Sequence, residues 1–581
     1  MKVLLSDKKR ALILLVLCSL LIQLLPLRLQ AVAGTEVELA ELSERIDTFI
    51  NEHESSTAGL ALRYFDSDEL LIQRDIGYVD RERGLKVDSK TVMEWGSITK
   101  PLVFLSVMQL VEEGVLDLNQ DIRKYLPEGF LEKLNFPEPI SLVHLMNHSG
   151  GFADRYVELV LQDPNLVKDL GTALKEHQPE QIYPPGKLTA YSNWGVALAG
   201  YIVELQSKLP FSEYVRQNIF AACGMEHSAI AFDSSDNPWV QEQRMKLKYY
   251  DQNAKPNPHG FNYLPLYPCG STCSTAEDLA RFGQAILRRD PKLLKQAESW
   301  DLYLSPSAYY GSTELPSNYH GFWVFPFAKP IIGHSGNAPG SSANLLLDLE
   351  AGRGLVVMTN QKMEKPYNHD LPKLVFGEFA EDLYFKEARH LPEGVYRAAQ
   401  TVRSGPFKIN SLNFIFGRRL KDDFWLHTKL DGFEKIAMPR ADYIRISAFE
   451  FAFEISLILL WLCAIIFALV SLLRALYSYL VKGRKTAFLK LLPALLEMII
   501  VLALLHVLYR TSIFDLRAKY FYLSSSIIAL ATLLMIALVC RDIYMSKTGK
   551  LKEAPKFTSI FFQVITIINV IYWNLFMFWK I

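Results

Sequence analysis

The chain has 581 residues, which is well beyond the length of a single domain, so two or more structural units are expected. Its formal net charge is zero, which excludes a global attraction to nucleic acid, and no nucleic-acid partner is predicted. A hydrophobic share of 50% is high for a wholly soluble protein, and the excess lies in one run near the N-terminus and several near the C-terminus.

The first 33 residues are typical of an export signal. Basic residues at 8–10 precede a mostly apolar stretch, Ala11–Leu27, and the small residues at 31–34 form an A-x-A site of the kind that signal peptidases cut. An uncut anchor helix is the alternative to a cleaved signal. Under either interpretation the chain that follows is exported.

Residues 34–391 are predicted to form a globular domain, because their apolar runs are short and broken by Pro, Gly, Asn and Asp. Helical periodicity predicts helices at Leu102–Glu113 and Ala276–Leu287. Strand-like runs occur at Gly59–Tyr64, Leu70–Gly77, Ser342–Leu349 and Gly354–Thr359. This mixture predicts a sheet packed with helices, together with a largely helical unit.

Residues 392–449 differ in composition from the preceding domain. Aromatic and charged residues mix there, as in Gly394–Arg397 and Phe424–His427. The segment is interpreted as a small β-rich module or a structured linker.

Four apolar stretches lie within residues 450–581, each near the ~20 residues needed to cross a bilayer. They are Ile455–Leu473, Leu491–Leu508, Tyr520–Val539 and Phe557–Trp579. The loops at 474–490 and 541–556 carry five basic residues each, more than the loop between them, so the positive-inside rule places these two loops in the cytoplasm. The sequence therefore predicts a multi-pass protein of the cell membrane, in contact with the lipid bilayer, with residues 34–391 outside the cytoplasm.

The role of several side chains stays open at this level. Glu497 and His506 lie inside the second predicted span, where an ionisable group is either functional or turned towards the helical bundle. Cys269 and Cys273 could pair outside the cytoplasm, although three intervening residues would make a tight loop. No cysteine and histidine cluster has the spacing of a metal site, so no metal is predicted.

The first motif with chemical potential is Ser97-Ile98-Thr99-Lys100, at the start of a helical pattern. A serine hydroxyl is a poor nucleophile until a base removes its proton. Because positions i and i+3 share one helix face, Lys100 can lie beside Ser97, and a desolvated lysine can act as that base. The motif alone is weak, since a solvated lysine on a helix is the more common case.

The second motif is Tyr191-Ser192-Asn193, which follows a Pro-Pro-Gly turn at 184–186. A tyrosine can shuttle a proton, and an asparagine can hydrogen-bond both a lysine and a substrate. A purely structural interpretation, with a buried tyrosine and an asparagine helix cap, is the more common case for this motif alone.

The third motif is His334-Ser335-Gly336-Asn337, in a strand-rich segment. Small residues let a strand approach a substrate, and the backbone N–H groups of Asn337 and Ser97 could form an oxyanion hole. The same tripeptide recurs at 148–150, where it is interpreted as a structural loop.

In order and rough spacing, the three motifs resemble the serine β-lactamase and penicillin-binding-protein superfamily, in its class C-like branch. Supporting stretches that resemble this branch are Leu110–Leu118, Leu145–Phe152 and Ser274–Phe282, and the resemblance covers about residues 40–370. It implies an α/β sandwich, with a central antiparallel sheet flanked by helices, plus an all-helical subdomain. The apolar stretches add an all-α transmembrane bundle after this fold.

The resemblance also implies residue roles. Ser97 would attack an acyl carbonyl and form an acyl-enzyme. Lys100 and Tyr191 would share the proton transfers, and Asn193 would orient Lys100 and the substrate amide. No metal or organic cofactor is implied, because serine, lysine and tyrosine suffice for acyl transfer.

The substrate-binding strand departs from the typical pattern of the superfamily. His334, Ser335 and Gly336 replace the Lys-Thr-Gly of typical β-lactamases, with Asn337 following. Lysine offers a fixed cation, whereas the charge of histidine depends on pH. His334 resembles the variant seen in carboxypeptidase-like and esterase-like members, which argues against efficient β-lactamase activity.

The sequence thus favours a membrane-anchored serine hydrolase, a peptidase or esterase acting on D-amino-acid-containing amides or esters. A small peptide, an ester or a cell-wall-derived molecule is the expected substrate. A prodrug-activating D-amino peptidase shares this architecture. Two hypotheses from different classes are a penicillin-binding sensor without turnover and a structural protein with a degenerate site. The short cytoplasmic loops argue against the sensor, and the intact motifs argue against degeneracy.

Overall fold

The structure is a computed structural model that describes residues 37–576, except for 133, 156–158, 312, 380–392, 402–413, 417–424, 431, 439, 484–487, 513–517 and 549–556. The predicted export signal and the end of the fourth predicted span, beyond residue 576, lie outside the described residues.

An antiparallel sheet forms the centre of the larger domain and has nine strands in the described part of the chain. From edge to edge the strands are Leu85–Lys86, Leu70–Asp80, Gly59–Asp66, Arg353–Thr359, Ser342–Asp348, Pro330–Asn337, Phe322–Pro326, Pro316–Tyr319 and Ala308–Tyr309. The first strands of the domain therefore pair with strands near its end, and Leu60 lies opposite Thr359. Each of the four predicted strand segments lies in this sheet.

Both faces of this sheet are covered. Successive side chains of a strand point to opposite faces, and within Ser342–Asp348 Leu346 belongs to the apolar core that includes the helix at 37–53. Its neighbour Leu345 belongs to the core on the other face, with the helix Ala276–Leu287. Burial on both sides explains why three consecutive leucines, at 345–347, lie in the middle of this strand.

The other helices of this domain surround the sheet and build the helical unit. They are Lys100–Glu112, Leu142–Met146, Leu170–Glu176, Asn193–Ser207, Phe211–Val215, Ala221–Cys223, Pro238–Arg244, Ala297–Tyr303 and Leu371–Phe376. Lys100–Glu112 packs against Asn193–Ser207 and is buried along nearly its entire length. This packing brings the starts of the two helices, and with them two of the predicted motifs, close together.

The segment after the larger domain contains a second antiparallel sheet. Its strands, in spatial order, are Phe414–Phe416, Val395–Ala398, Ala441–Ile446, Phe433–Met438 and Leu426–Leu430. We call residues 395–446 the β-module. The β-rich interpretation of this segment agrees with these strands, whereas the predicted limits at 392 and 449 stay a prediction.

Four long helices follow the β-module: Ala448–Lys482, Phe488–Ser512, Ala518–Lys547 and Phe557–Tyr572. Three segments are long and apolar enough to cross a membrane, namely Ala448–Lys482, Lys490–Thr511 and Lys519–Lys547. The fourth helix has 16 described residues. The helices support membrane association, while the orientation and the count of four spans remain predictions.

Glu497 and His506 both make contacts between helices. The Glu497 carboxylate accepts hydrogen bonds from Trp461 Nε1 at 2.9 Å and from Thr566 Oγ1 at 2.6 Å. His506 Nδ1 lies 2.9 Å from Ser524 Oγ. Since a polar group inside an apolar bundle must find a partner within it, these contacts favour the structural interpretation of both residues.

Candidate active site

Ser97 lies in a single 3₁₀ turn, Gly96–Thr99, that leads directly into the helix Lys100–Glu112. Gly96 has a φ of +54°, a left-handed conformation that glycine adopts without steric cost. A Cβ atom at Gly96 would lie 3.0 Å from the backbone nitrogen of Asn337. Glycine therefore permits both the turn and its close approach to the strand that carries Asn337.

The hydroxyl of Ser97 accepts two hydrogen bonds from the residues that the motifs singled out. Lys100 Nζ donates to Ser97 Oγ at 2.9 Å, and Tyr191 OH donates at 2.8 Å. Lys100 is completely buried, and Nζ also donates to Asn193 Oδ1 at 2.9 Å and to the Cys269 carbonyl at 2.7 Å. Lys100 Nζ thus lies within hydrogen-bond distance of three neutral oxygen atoms, from Ser97, Asn193 and Cys269.

The helix Asn193–Ser207 is capped by Ser192, whose Oγ accepts the Gly195 N–H at 3.0 Å. The interpretation in which Asn193 caps this helix is therefore wrong. Because Ser192 supplies the cap, the Asn193 amide is available to contact Lys100.

The second His-Ser-Gly tripeptide lies against the Tyr191 ring. His148 stacks on Tyr191 with 4.4 Å between ring centroids, and on Trp323 at 5.3 Å. Its Nδ1 accepts the Ser192 N–H at 3.1 Å. Burial, followed by the charge of Lys100, holds the His148 pKa well below its usual range. His148 is a neutral side chain that positions Tyr191, a contact that the sequence did not reveal.

Gly336 of the third motif packs against the turn that carries Ser97. A Cβ atom at Gly336 would lie 1.7 Å from the Trp95 carbonyl oxygen and 3.2 Å from the Ser97 nitrogen. Gly336 was predicted to be small so that a substrate could approach the strand. In the structure its small size also lets the turn that carries Ser97 pack against the strand. The Asn337 side chain accepts a hydrogen bond from Ser342 Oγ at 2.9 Å, so it is held by the neighbouring strand.

His334 is buried in the same strand and is neutral. Burial lowers its pKa to about 3, and the positive charges of Lys100 and Arg440 act in the same direction. Nδ1 lies 2.7 Å from the Ser335 carbonyl, which can only accept, so Nδ1 carries the proton. Nε2 is then a buried acceptor without a hydrogen-bond partner among the described residues. The sequence analysis left the charge of His334 dependent on pH. In the structure His334 is neutral at physiological pH.

Replacing His334 by asparagine is expected to improve stability selectively in acid. The folded-state pKa of about 3 lies below the ordinary value of 6.5, so between these values the unfolded chain binds a proton that the folded chain does not. The stability that neutral His334 contributes is complete above pH 6.5 and decreases as the pH falls towards 3. Thermal unfolding of both proteins should show that the Tm of the wild type falls more than the Tm of His334→Asn as the pH is lowered from about 8 to about 5. Parallel Tm profiles would contradict a neutral buried histidine.

Cys269 and Cys273 are both buried with free thiols. The disulfide considered for this pair is therefore not formed in the structure. Cys269 instead contributes its backbone carbonyl to Lys100.

The β-module adds a residue that the motifs did not include. Arg440 Nη1 donates a hydrogen bond to Ser335 Oγ at 3.3 Å. The two residues are 105 positions apart, and no local pattern in the sequence connects them. Arg440 is identified only by the contact that folding makes between the β-module and the larger domain.

The antiparallel sandwich, with a serine bonded to both a buried lysine and a tyrosine, defines the class of β-lactamase-fold proteins. A family model described as Beta-lactamase matches residues 40–376, and the chain belongs to this family. The predicted superfamily and the predicted fold class are thereby confirmed. The site-residue roles remain predictions.

The individual proteins that this chain resembles have low sequence identity to it. The chain is 22% identical over 370 residues to Penicillin-binding protein 4* of Bacillus subtilis (strain 168), covering 61% of this chain and 77% of that protein. A similar solved structure is the octameric penicillin-binding protein homologue from Pyrococcus abyssi, at 19% identity, with a TM-score of 0.49 and coverage of 70% and 99% of the two chains. Another is the D-alanine carboxypeptidase AmpC from Burkholderia cenocepacia, at 20% identity, with a TM-score of 0.46 and coverage of 59% and 99%.

Proposed function

We propose that this protein is an extracytoplasmic, membrane-anchored serine hydrolase that forms an acyl-enzyme on Ser97. Its substrates are D-amino-acid-containing peptides, amides or esters, including those derived from the cell wall. The observation that carries the proposal is the contact of Ser97 Oγ with both Lys100 Nζ and Tyr191 OH. A serine hydroxyl becomes a useful nucleophile when a group at this distance can remove its proton.

The contacts support a sequence of proton movements. As Ser97 Oγ attacks the acyl carbonyl, its proton moves to Lys100 Nζ, in its uncharged form, or through Tyr191 OH. When the tetrahedral intermediate collapses, the leaving group receives that proton and departs. Water then attacks the acyl carbonyl and gives up a proton to the same two side chains. The bond between Ser97 Oγ and the acyl carbon breaks, the acid is released, and that proton returns to Ser97 Oγ. Asn193 holds Lys100 in place throughout by the bond from Nζ to Oδ1.

The developing oxyanion requires hydrogen-bond donors beside the serine. We assign this role to the backbone N–H groups of Ser97 and Asn337, since a Cβ atom at Gly96 would lie 3.0 Å from the Asn337 nitrogen. The side chain of Asn337 is bonded to Ser342 and is left out of this assignment.

The preference for peptides or esters over lactam hydrolysis rests on His334. A neutral histidine replaces the fixed cation of Lys-Thr-Gly in the resembling β-lactamases. The relative named Penicillin-binding protein 4* supports the use of penicillin as an acylating probe. We therefore expect penicillin to acylate Ser97 and to be released slowly.

The proposal is tested with the full chain in detergent, incubated with a fluorescent penicillin. Peptide mapping by mass spectrometry locates the adduct, and heat-denatured protein is the control for nonspecific labelling. Hydrolysis of a D-alanyl ester and of its L-alanyl counterpart is measured in parallel. An adduct on the peptide that contains Ser97, with preferential turnover of the D-ester, is expected.

The remaining outcomes distinguish the competing functions. A stable adduct on Ser97 with no turnover of either ester would support the penicillin-binding sensor and contradict a hydrolase. Rapid penicillin consumption would indicate a β-lactamase and overturn the interpretation of His334. Labelling elsewhere, or neither labelling nor turnover, would contradict the proposed function.

A further inference from the structure

A cavity of about 570 Å³ lies where the larger domain, the β-module and the long helices meet. The larger domain contributes Glu180 to its lining, the β-module contributes Arg397 and Arg445, and Tyr572 comes from the last long helix. The volume falls within the roughly 300–1,000 Å³ that is typical of ligand pockets. The cavity is separate from the candidate active site, because neither of the side chains bonded to Ser97 Oγ lines it.

The cavity lies beside the start of the first long apolar helix. Glu450 and Glu454 line it, and both belong to the first two turns of Ala448–Lys482, a helix long enough and apolar enough to cross a membrane. Phe449, next to Glu450, is 80% exposed. Tyrosine is enriched where a membrane meets water, and Tyr572 lines the same cavity. The cavity is therefore at the depth of lipid headgroups.

An ionic network forms the wall of the cavity on the side of the helices. Arg397 Nη1 donates to Glu450 Oε1 at 2.8 Å, and Arg397 Nη2 donates to Glu454 Oε2 at 2.7 Å. The other oxygen of Glu454 accepts a hydrogen bond from Tyr572 OH at 2.8 Å. Because these two carboxylates already have a cation between them, the network links the β-module to the helices and is not the group that awaits a ligand.

Three other polar groups of the lining have binding capacity left. Thr401 is 5% exposed, and its Oγ1 has no hydrogen-bond partner among the described residues, which costs free energy unless a ligand supplies one. Arg445 uses Nη1 for Glu434 at 2.6 Å, and its other N–H groups meet no acceptor in the described part of the chain. Glu180 is exposed and accepts a long bond of 3.3 Å from Asn135, with no cationic partner in the described ranges.

These groups suit a ligand that carries both a phosphate and an ammonium group. A phosphate accepts hydrogen bonds from a guanidinium and from a hydroxyl, and an ammonium group donates to a carboxylate. Phe433 and Ile444 add an apolar part to the lining, against which a short carbon linker can pack. A headgroup with only negative charge would leave its phosphate facing Glu180 without an ammonium group between them.

We propose that this cavity binds the phosphoethanolamine headgroup of a membrane phospholipid, with its phosphate on Arg445 and Thr401 and its ammonium group on Glu180. The acyl chains continue along the exposed apolar surface of Ala448–Lys482, which begins at Phe449. A lipid in this position contacts the larger domain, the β-module and the helices at once. Its binding does not depend on the chemistry proposed for Ser97.

The test uses the full chain, freed of lipid in detergent and titrated with lipid, and native mass spectrometry gives the Kd of the first bound molecule. The ligands are dioleoylphosphatidylethanolamine, its N-acetyl derivative, which lacks the ammonium group, and glycerophosphoethanolamine, which lacks the acyl chains. The variants are Glu180→Gln and Arg445→Gln. Glu138→Gln changes an exposed glutamate outside the cavity, and Lys429→Gln changes another cation that pairs with Glu434, so they are the matched controls.

We expect the wild type to bind phosphatidylethanolamine about fivefold or more tightly than the N-acetyl derivative, because acetylation removes a charged hydrogen bond at a partly exposed site. Glu180→Gln should lose this preference. Arg445→Gln should weaken the binding of both lipids, since both keep the phosphate. The two control variants should bind both lipids like the wild type.

Equal Kd values for the two lipids in the wild type, or an unchanged preference in Glu180→Gln, would overturn the headgroup site. Unchanged binding of both lipids by Arg445→Gln would overturn the assignment of the phosphate. If glycerophosphoethanolamine bound as tightly as the lipid, the occupant would be a soluble molecule and the lipid assignment would fall. None of these measurements involves hydrolysis, so a failure of the site is distinct from a failure of the proposed function.

Discussion

Replacing Ser97 by alanine is expected to reduce kcat on the order of 10⁵-fold or more, because the nucleophilic oxygen on which the other catalytic residues act is removed. The change removes the oxygen that accepts hydrogen bonds from Lys100 and Tyr191. Lys100 keeps its bonds to Asn193 and to the Cys269 carbonyl, so the network should survive the loss of the hydroxyl. Steady-state hydrolysis of a D-alanyl ester and labelling by fluorescent penicillin measure the effect.

Ser149→Ala is the matched control, since Ser149 belongs to the second His-Ser-Gly tripeptide and its hydroxyl bonds only weakly, at 3.4 Å, to the His144 carbonyl. It should label and turn over like the wild type. Both variants should unfold near the wild-type Tm, because neither substitution removes buried apolar surface. Labelling of Ser97→Ala at the wild-type rate would show that another nucleophile performs the reaction.

Replacing Lys100 by methionine is expected to lower kcat by about 10³-fold and at the same time to stabilise the fold. Activity falls because the base beside Ser97 is lost. Stability rises because Lys100 is completely buried and, among the described residues, its hydrogen-bond partners include no carboxylate. An apolar side chain of similar length removes that desolvation cost, for a gain of about 1–3 kcal/mol.

Hydrolysis kinetics and thermal unfolding of the same preparations separate the two effects of the Lys100 substitution. Lys100→Arg is the companion variant, because a guanidinium keeps the charge but does not act as a base. It should lose activity without gaining stability. A parallel loss of activity and Tm in Lys100→Met would mean that the lysine serves mainly to link Ser97, Asn193 and Cys269.

The three motifs were readable in the sequence because each has a local physical basis. Ser97 and Lys100 are three positions apart on one helical turn, and a small residue was expected at Gly336 for close approach. The strand assignments were equally accessible, since Ser342–Asp348 contains an uninterrupted run of three leucines at 345–347. The alternative in which Asn193 caps the helix could not be excluded from the sequence, because Ser192 and Asn193 have similar capping propensities; in the structure Ser192 is the cap and Asn193 contacts Lys100.

The charge of His334 required the tertiary structure. The sequence leaves a histidine free to be neutral or cationic, because its ordinary pKa lies near physiological pH. Burial and two positive neighbours, Lys100 and Arg440, settle the neutral form. The stacking of His148 on Tyr191 also required the tertiary structure, because the two residues come from separate loops.

By itself the sequence predicted the superfamily, from the order and spacing of three motifs, and the apolar helices, from the length of their apolar runs. The antiparallel sandwich was implied by the resemblance to that superfamily. Only the tertiary structure decided which groups surround Ser97, how His334 is charged, and that the β-module brings Arg440 to Ser335. The physical reason is the range of the interactions. Local propensity acts over a few positions, whereas the desolvation and hydrogen bonds of a site depend on residues that folding brings together from distant parts of the chain.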